Sequence, residues 1–152
     1  MKNSGTEIVI CGFMGAGKST WGQRFAMKKE LKFLDLDEMI ENQEGISVKK
    51  IFERFGAPYF RKCEMNYCRN LAELKNVVIA VGGGTFESLE NVLMFSADFA
   101  IIFLDTDFET CYLRIKDSNR PLVVDFTKEQ LQELFRQRRK LFLEISDIVI
   151  SS

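Results

Sequence analysis

A glycine-rich segment between an apolar run and a helical pattern is the strongest constraint on how this chain folds. Glu7–Cys11 is apolar and largely β-branched, which favours a buried strand. Glycines follow at once, and from Lys18 to about Glu30 the apolar residues recur at roughly helical spacing. The sequence therefore predicts a strand, a tight loop and a helix in succession.

The loop itself fits a phosphate-binding pattern. Residues 12–19 read Gly-Phe-Met-Gly-Ala-Gly-Lys-Ser and match G-x-x-x-x-G-K-[ST], with Thr20 next. In this pattern the loop amides and the helix N-terminus surround a phosphate chain, because both present N–H groups to it. Lys18 would then reach the β- and γ-phosphates, and Ser19 would ligate Mg²⁺. A plain glycine-rich turn is the alternative.

Strand and helix patterns alternate along the rest of the chain. Apolar runs predict four more strands, at residues 33–36, 77–81, 99–104 and 148–150. Helical spacing predicts helices near residues 37–44, 47–55, 58–74, 107–115 and 127–144. Residues 116–126 show little periodicity and predict a loop. Strands that are apolar on both faces are typical of a parallel sheet covered on both sides, so we expect the α/β class and one domain over residues 1–152.

Composition excludes several classes of function. The chain has no His, which excludes His-dependent nucleophilic triads and His-containing zinc sites. Lys plus Arg total 21 against 22 Asp plus Glu, so a formal charge of −1 offers no single-sign field for nucleic acid or an acidic membrane. Four scattered cysteines, with no leader-like or membrane-spanning apolar segment, predict reduced thiols in a soluble cytoplasmic protein.

Acidic residues end two of the predicted strands. Asp35 and Asp37 come at the end of the second strand, where the ligand crevice of an open α/β sheet lies. Two carboxylates at i and i+2 of an extended segment point the same way, so one could serve a metal while the other meets an acceptor hydroxyl. Ordinary helix-capping acids are the alternative. Asp105 ends a later apolar run and competes with Asp35 for the metal.

Basic side chains and a run of glycines could complete such a site. Arg61 has Glu64 one turn later, which could fix the guanidinium or form only a surface ion pair. Arg120 lies in the predicted loop, where it could fold over a transferring phosphoryl group or stay a solvated charge. The glycines at residues 82–84 would let a ligand approach closely. Near the end of the last helix, pattern alone does not choose among Arg136, Arg138, Arg139 and Lys140.

Missing motifs narrow the class of nucleotide-binding protein. The guanine-reading N-K-x-D and the switch element D-x-x-G of GTPases are absent, which disfavours a GTPase switch. A motor or transporter ATPase needs more chain than 152 residues for its partner surfaces. A small kinase that acts on a small acceptor remains.

These motifs together resemble those of the shikimate kinase family. The resemblance runs from about Ile8 to Ile150, through GFMGAGKST at 12–20, DLD at 35–37, FRKCE at 60–64, VGGGT at 81–85, RPL at 120–122 and R-x-x-L-F at 138–142. It implies a three-layer α/β/α fold with a five-stranded parallel sheet of order 2-3-1-4-5, a substrate-binding helical region at about residues 37–62 and a lid at about 112–126. It also implies transfer of the γ-phosphate of ATP to the 3-hydroxyl of shikimate, a step toward chorismate and the aromatic amino acids.

The resemblance assigns roles to individual residues. It implies an ATP-phosphate site of Gly15, Ala16, Gly17, Lys18, Ser19, Thr20 and the lid residue Arg120. It implies that Ser19 holds Mg²⁺, with Asp35 helping through water. It implies a shikimate site of Asp37, Arg61, Gly83 and Arg138. Asp37 would act as base or orienter, with Lys18 and Arg120 as further catalytic residues, and Arg114 would lie near the adenine.

Two alternatives stay open. The first is a gluconate or nucleoside monophosphate kinase of the same architecture, although paired arginines and a triple glycine suit a small carboxylate better. The second is a nucleotide-binding regulatory protein without catalysis. The joint presence of Lys18, Asp37, Arg61, Arg120 and Arg138 argues against it. The expected partners are shikimate and ATP, without nucleic acid or membrane, and a monomer is the default.

Overall fold

Five strands form one parallel sheet in the computed structural model, which describes residues 6–152. The strands are Glu7–Cys11 (β1), Lys32–Asp35 (β2), Val77–Ala80 (β3), Ala100–Asp105 (β4) and Ile148–Ser151 (β5). Their order is β2-β3-β1-β4-β5, and each neighbouring pair is parallel. The predicted fold class and strand order are confirmed. Parallel strands end at the same edge of the sheet, so the segments that follow them lie together.

Helices connect the strands and cover the sheet. They are Lys18–Lys29 (α1), Leu36–Glu44 (α2), Val48–Phe55 (α3), Ala57–Leu71 (α4), Leu89–Ser96 (α5), Phe108–Ile115 (α6), Pro121–Asp125 (α7) and Lys128–Ile145 (α8), with a 3₁₀ turn at Thr85–Glu87. Capping side chains begin several of them. The Asp107 carboxylate accepts from the N–H of Thr110 at 2.9 Å. Thr127 and Gln130 form a capping box at the start of α8.

Strand β1 shows how the sheet is buried on both faces. Ile8 and Ile10 pack in one cluster with α1 side chains, whereas Val9 and Cys11 pack in another with side chains of α4 and α5. Alternate residues of a strand point to opposite faces, so a continuous apolar run serves both clusters. Burial of each such side chain contributes about 1.5–3 kcal/mol, and the sheet is a firm support for the loops at its edge.

Three predicted details differ from the structure. The predicted loop at residues 116–126 contains α7, which Pro121 begins at a position where its missing N–H costs nothing. Helix α5 lies where the sequence patterns predict no element. Strand β2 ends at Asp35, whose side chain accepts from the N–H of Glu38 at 3.1 Å and caps α2. Asp37 therefore lies in a helix and not in an extended segment.

The cysteines are free thiols, as predicted. Cys11, Cys68 and Cys111 are buried, and Cys63 is partly exposed. Burial raises the pKa of Cys11 and of Cys68 to about 12, so both thiols stay protonated near neutral pH. Among residues 6–152, no helix combines the length and the apolar character needed to cross a bilayer.

Candidate active site

One cavity of about 970 Å³ lies beside the carboxyl ends of β1, β2 and β3. Its walls come from the glycine-rich loop, from α2, α3, α4 and α8, and from the segment before α7. Every residue that the sequence analysis assigned to the site lines this cavity: Gly15, Ala16, Gly17, Lys18, Ser19, Thr20, Asp35, Asp37, Arg61, Gly83, Arg120 and Arg138. The fold thus gathers residues from widely separated segments in one place.

The loop between β1 and α1 has a backbone that glycine adopts most readily. Gly15 and Gly17 have φ angles of +79° and +96°, in the left-handed region. A Cβ on Gly15 would also lie 2.8 Å from the carbonyl oxygen of Cys111 in α6. The two glycines therefore let the chain turn sharply from the strand into α1, with the loop pressed against α6.

Two side chains hold this loop from neighbouring elements. The Thr106 hydroxyl donates to the carbonyl of Ala16 at 2.8 Å, and Nη1 of Arg114 donates to the carbonyl of Gly15 at 2.8 Å. These bonds fix the loop carbonyls, which helps to keep the loop in one conformation. Arg114 also lines the cavity, and its place near an adenine stays a prediction.

Lys18 is the first residue of α1, and its side chain turns back to the glycine-rich loop. Its Nζ donates to the carbonyl oxygens of Gly12 at 2.8 Å and of Phe13 at 3.0 Å. Burial lowers the pKa of Lys18 to about 8, with Asp37 raising it and Arg120 lowering it. Most Lys18 side chains are still charged at neutral pH, and a bound polyanion would favour the charged form further.

Two oxygen groups lie side by side next to Lys18. The Ser19 hydroxyl donates to Oδ2 of Asp35, whose Oδ1 caps α2. Mg²⁺ accepts such hard oxygen ligands, and it usually binds one or two protein groups together with phosphates and waters. In the described residues 6–152, no three His, Cys, Asp or Glu side chains converge as a metal cage. A hydroxyl and a carboxylate in contact fit a cation that is shared with a phosphate chain.

Asp105 forms an ion pair outside the cavity. Its carboxylate accepts from Nε and Nη2 of Arg139 at 3.0 and 2.9 Å, a two-point ion pair between the end of β4 and α8. Asp105 does not line the cavity. The structure therefore favours Asp35 over Asp105 as the ligand of a metal.

Asp37 lies in the first turn of α2 with one carboxylate oxygen in the interior. Its Oδ1 is buried and has no hydrogen-bond partner among residues 6–152. Burial raises the pKa of Asp37 to about 6; Glu64 and Asp35 act in the same direction, and Lys18 opposes them. A buried carboxylate oxygen without a donor is costly, so this atom is a natural acceptor for a ligand hydroxyl.

Arg61 in α4 is held by a chain of hydrogen bonds that reaches α5. Its Nη1 lies 2.6 Å from Oε1 of Glu64, and Oε2 of Glu64 accepts from the Thr85 hydroxyl at 2.6 Å. Asn91 donates in turn to the carbonyl of Thr85 at 2.9 Å. Glu64, Thr85 and Asn91 are buried. Of the two alternatives left open by the spacing, the structure shows the one in which Glu64 fixes Arg61, because Glu64 is buried.

Of the four basic residues near the end of α8, Arg138 is the one that lines the cavity. Its side chain is 4% exposed, whereas Arg139 and Arg136 lie near the surface. Nη2 of Arg138 donates to Oε1 of Glu87 at 3.0 Å. Burial lowers the pKa of Arg138, Glu87 raises it, and the neighbouring Arg61 lowers it. Two guanidinium groups are therefore close together at this end of the cavity.

The three consecutive glycines after β3 make room for these side chains. A Cβ on Gly84 would lie 2.6 Å from Nη2 of Arg61 and 2.9 Å from Nη2 of Arg138. A Cβ on Gly82 would lie 2.9 Å from Oδ1 of Asp37. Both guanidinium groups thus approach one end of this bare backbone, and the Asp37 carboxylate approaches the other.

Thr85 and Glu87 hold two side chains of the site, and neither had a role predicted from the sequence. Both belong to the 3₁₀ turn after the glycines, and they bind Glu64 and Arg138, which are 21 and 51 positions away. Periodicity and spacing do not encode such distant contacts. Their position directly after a glycine run at a strand end is the signal that could have indicated them.

Comparisons with known proteins identify the family. Residues 14–152 match the shikimate kinase family model. The shikimate kinase of Persephonella marina is 40% identical over 147 residues, which cover 96% of this chain and 88% of that protein. That of Staphylococcus haemolyticus is 38% identical over 152 residues, which cover 99% and 87%.

A solved structure agrees with these sequence relatives. The shikimate kinase from Acinetobacter baumannii, in complex with shikimate, has a TM-score of 0.91 and 31% identity, over 97% of this chain and 83% of that one. Because the family match spans most of the chain and the relatives align over most of their own length, this chain belongs to the shikimate kinase family.

Proposed function

We propose that this chain transfers the γ-phosphate of ATP to the 3-hydroxyl of shikimate, a step toward chorismate and the aromatic amino acids. Family membership supports the reaction. The observation that carries it is the approach of Arg61 and Arg138 to Gly84, with Asp37 at the other end of the glycine run. Paired guanidinium groups suit a carboxylate, and a buried carboxylate oxygen suits a hydroxyl. Shikimate offers both groups on one small ring.

The glycine-rich loop would bind the phosphates of ATP. The groups involved are the amides and side chains of Gly15, Ala16, Gly17, Lys18, Ser19 and Thr20. The amides lie at the N-terminus of α1, where the helix dipole favours negative charge. Lys18 would exchange its two carbonyl partners for the β- and γ-phosphates, and Arg120 would approach from the segment before α7. Both cations would neutralise charge on the transferring phosphoryl group.

Ser19 and Asp35 would hold Mg²⁺, Ser19 directly and Asp35 through water. Their hydroxyl and carboxylate are already in contact, and both are hard oxygen donors. When bound, Mg²⁺ supplies charge neutralisation at the β- and γ-phosphates. The side chains of Ser19 and Asp35 would hold the charge of Mg²⁺ beside Lys18.

Asp37 would orient the acceptor hydroxyl and take its proton. The acceptor oxygen forms a bond to the γ-phosphorus, the bond to the bridging oxygen breaks, and ADP leaves with that electron pair. With a pKa of about 6, Asp37 is ionised at neutral pH and able to accept the proton. Arg61 and Arg138 would hold the carboxylate end of shikimate, with Gly83 in backbone contact, so that the hydroxyl is aligned with the phosphoryl group.

We further propose a lid at residues 112–126 and a substrate-binding region at residues 37–62, within one domain over residues 1–152. Arg120 is exposed at the start of α7 and also lines the cavity. This placement suits closure over ATP, which would exclude water from the phosphoryl group. A monomeric state, a cytoplasmic location and the lack of nucleic-acid or membrane partners stay predictions.

ADP formation by the purified chain with Mg-ATP tests the proposed reaction. Shikimate, gluconate and AMP would be compared as acceptors under the same conditions. We expect stimulation by shikimate alone. Stimulation by gluconate or AMP instead would favour the corresponding kinase. No stimulation by any acceptor, with ATP binding intact, would favour the regulatory alternative.

A further inference from the structure

A half-exposed carboxylate outside the cavity holds one of the two arginines. Oε1 of Glu87 accepts from Nη2 of Arg138 at 3.0 Å. In the described part of the chain Arg138 lines the cavity and Glu87 does not. The Glu87 side chain is 46% exposed, against 4% for Arg138. Glu87 thus binds the guanidinium from outside the ligand space.

Arg138 needs such a partner. Its side chain is buried, and its Nε has no hydrogen-bond partner among residues 6–152. The guanidinium of Arg61 is close enough to lower the pKa of Arg138. A buried charge beside a like charge is unfavourable unless an opposite charge compensates it. Glu64 supplies the opposite charge for Arg61 from the core, and Glu87 supplies it for Arg138 from the surface.

The turn that carries Glu87 is fixed to the rest of the site. Thr85 belongs to the same 3₁₀ turn and binds Glu64, the partner of Arg61. The carboxylate partners of both arginines are therefore linked through one short turn after the glycines. Glu87 contacts Arg138 directly and so compensates its charge, whereas Glu87 lies outside the cavity and is half-exposed, so water screens its repulsion of a more distant ligand carboxylate.

We propose that Glu87 is a positioning residue for the carboxylate end of the acceptor. It holds Nη2 of Arg138, which leaves Nη1, 3.2 Å from the place of a Cβ on Gly83, for the ligand. The inference rests on the proposed function of this site. It adds that Glu87, which lies outside the cavity, sets the affinity for the acceptor separately from ATP binding and from the transfer step.

Glu87→Gln tests the proposal, because Gln keeps the shape of the side chain and removes its charge. We expect the KM for shikimate to rise about 5- to 20-fold, the scale of a lost charge-assisted hydrogen bond. The KM for ATP and kcat should change less than about twofold. Glu90→Gln, at an exposed carboxylate in the first turn of α5, is the matched control and should leave all three constants unchanged. A merely structural role of Glu87 would instead lower the affinity for both substrates and kcat together.

A double-mutant cycle shows whether Glu87 acts through Arg138. In an Arg138→Lys background, Glu87→Gln should raise the KM for shikimate by less than about twofold, because the positioned group is already gone. The proposal is overturned if Glu87→Gln has the same effect in both backgrounds, or if it leaves the KM for shikimate unchanged in the otherwise wild-type chain.

Calorimetric titration with shikimate alone keeps the two claims apart. If the wild-type chain binds shikimate without phosphorylating it, that result contradicts the proposed function. Glu87 can then still be tested by affinity. Unchanged shikimate affinity in Glu87→Gln contradicts the positioning role, whatever the turnover. Wild-type chain that does not bind shikimate at all contradicts both.

Discussion

Asp37 combines a buried oxygen without a partner in residues 6–152 with a pKa raised to about 6. Asp37→Asn keeps the shape of the side chain and removes its ability to accept a proton. We expect kcat with shikimate to fall about 100-fold or more, on the scale of general-base contributions, while ATP still binds. Steady-state kinetics and calorimetric titration with ATP measure the two effects. Near-normal turnover would remove Asp37 from the chemistry.

The same pKa predicts how activity depends on pH. The proposed role as proton acceptor requires ionised Asp37, and the ionised form appears as the pH rises through about 6. The kcat/KM for shikimate should therefore rise up to about pH 7 and reach a plateau. The residual activity of Asp37→Asn should lack this rise. A rise of equal size in that variant would assign the titration to another group.

Folding stability should fall as Asp37 ionises, whereas the activity should rise. The ordinary pKa of 3.8 applies in the unfolded chain and about 6 in the folded chain. Between these values the folded state keeps a proton that the unfolded state has released, so stability falls as the pH rises through this window. Asp37→Asn should have a higher Tm than wild type at about pH 8 and a similar one at about pH 4. A lower Tm at the higher pH would contradict a burial-raised pKa.

Gly84 tests whether the bare backbone is needed for both guanidinium groups. In Gly84→Ala the new Cβ would lie within 2.9 Å of nitrogens of Arg61 and Arg138, so at least one guanidinium must move. We expect the KM for shikimate to rise about tenfold or more, with the KM for ATP unchanged. Thr127→Ala is the control, because loss of the capping box at the start of α8 costs stability while Thr127 does not line the cavity. An unchanged KM in Gly84→Ala would show that the arginines can shift without loss.

Helix α8 presents Arg138 to the cavity, and the next residue fastens the helix to β4. The Asp105–Arg139 pair that does this is partly exposed, since the Arg139 side chain is 46% exposed. Asp105→Asn should therefore lower the free energy of unfolding by only about 0.5–1 kcal/mol, measured by urea denaturation. The Mg²⁺ concentration needed for half-maximal activity should not change. A large increase in that concentration would make Asp105 a metal ligand after all.

Sequence patterns predict best the elements whose causes are local. The unit from β1 to α1 was predictable because an apolar run, glycines with positive φ and helical spacing follow one another directly. Helix α5 was missed because Leu89 and Leu93 are 66% and 60% exposed, which blurs its amphipathic pattern. Helix α7 has only five residues, too few for a period to show. At α2, the cap at Asp35 begins the helix earlier than the strand pattern predicts.

Across the whole molecule, the site was predictable to the extent that motifs mark it. The glycine-rich loop and the Arg61–Glu64 pair are marked by local patterns. Both lie at the cavity or beside it, as these patterns predict. Choosing Arg138 from its basic neighbours required either the family resemblance or the burial that packing produces. The role proposed for Glu87 depends on a contact across 51 positions, which only the folded chain brings about.

In the proposed function, one cavity aligns ATP with a small acceptor, and two arginines hold that acceptor by its carboxylate. The most direct measurement compares kcat/KM for shikimate with kcat/KM for its uncharged carboxamide. The readout is ADP formation from Mg-ATP. We predict that the carboxamide is worse by about 100-fold or more, because Arg61 and Arg138 would then meet no negative charge. Equal kcat/KM for the two compounds would contradict the claim.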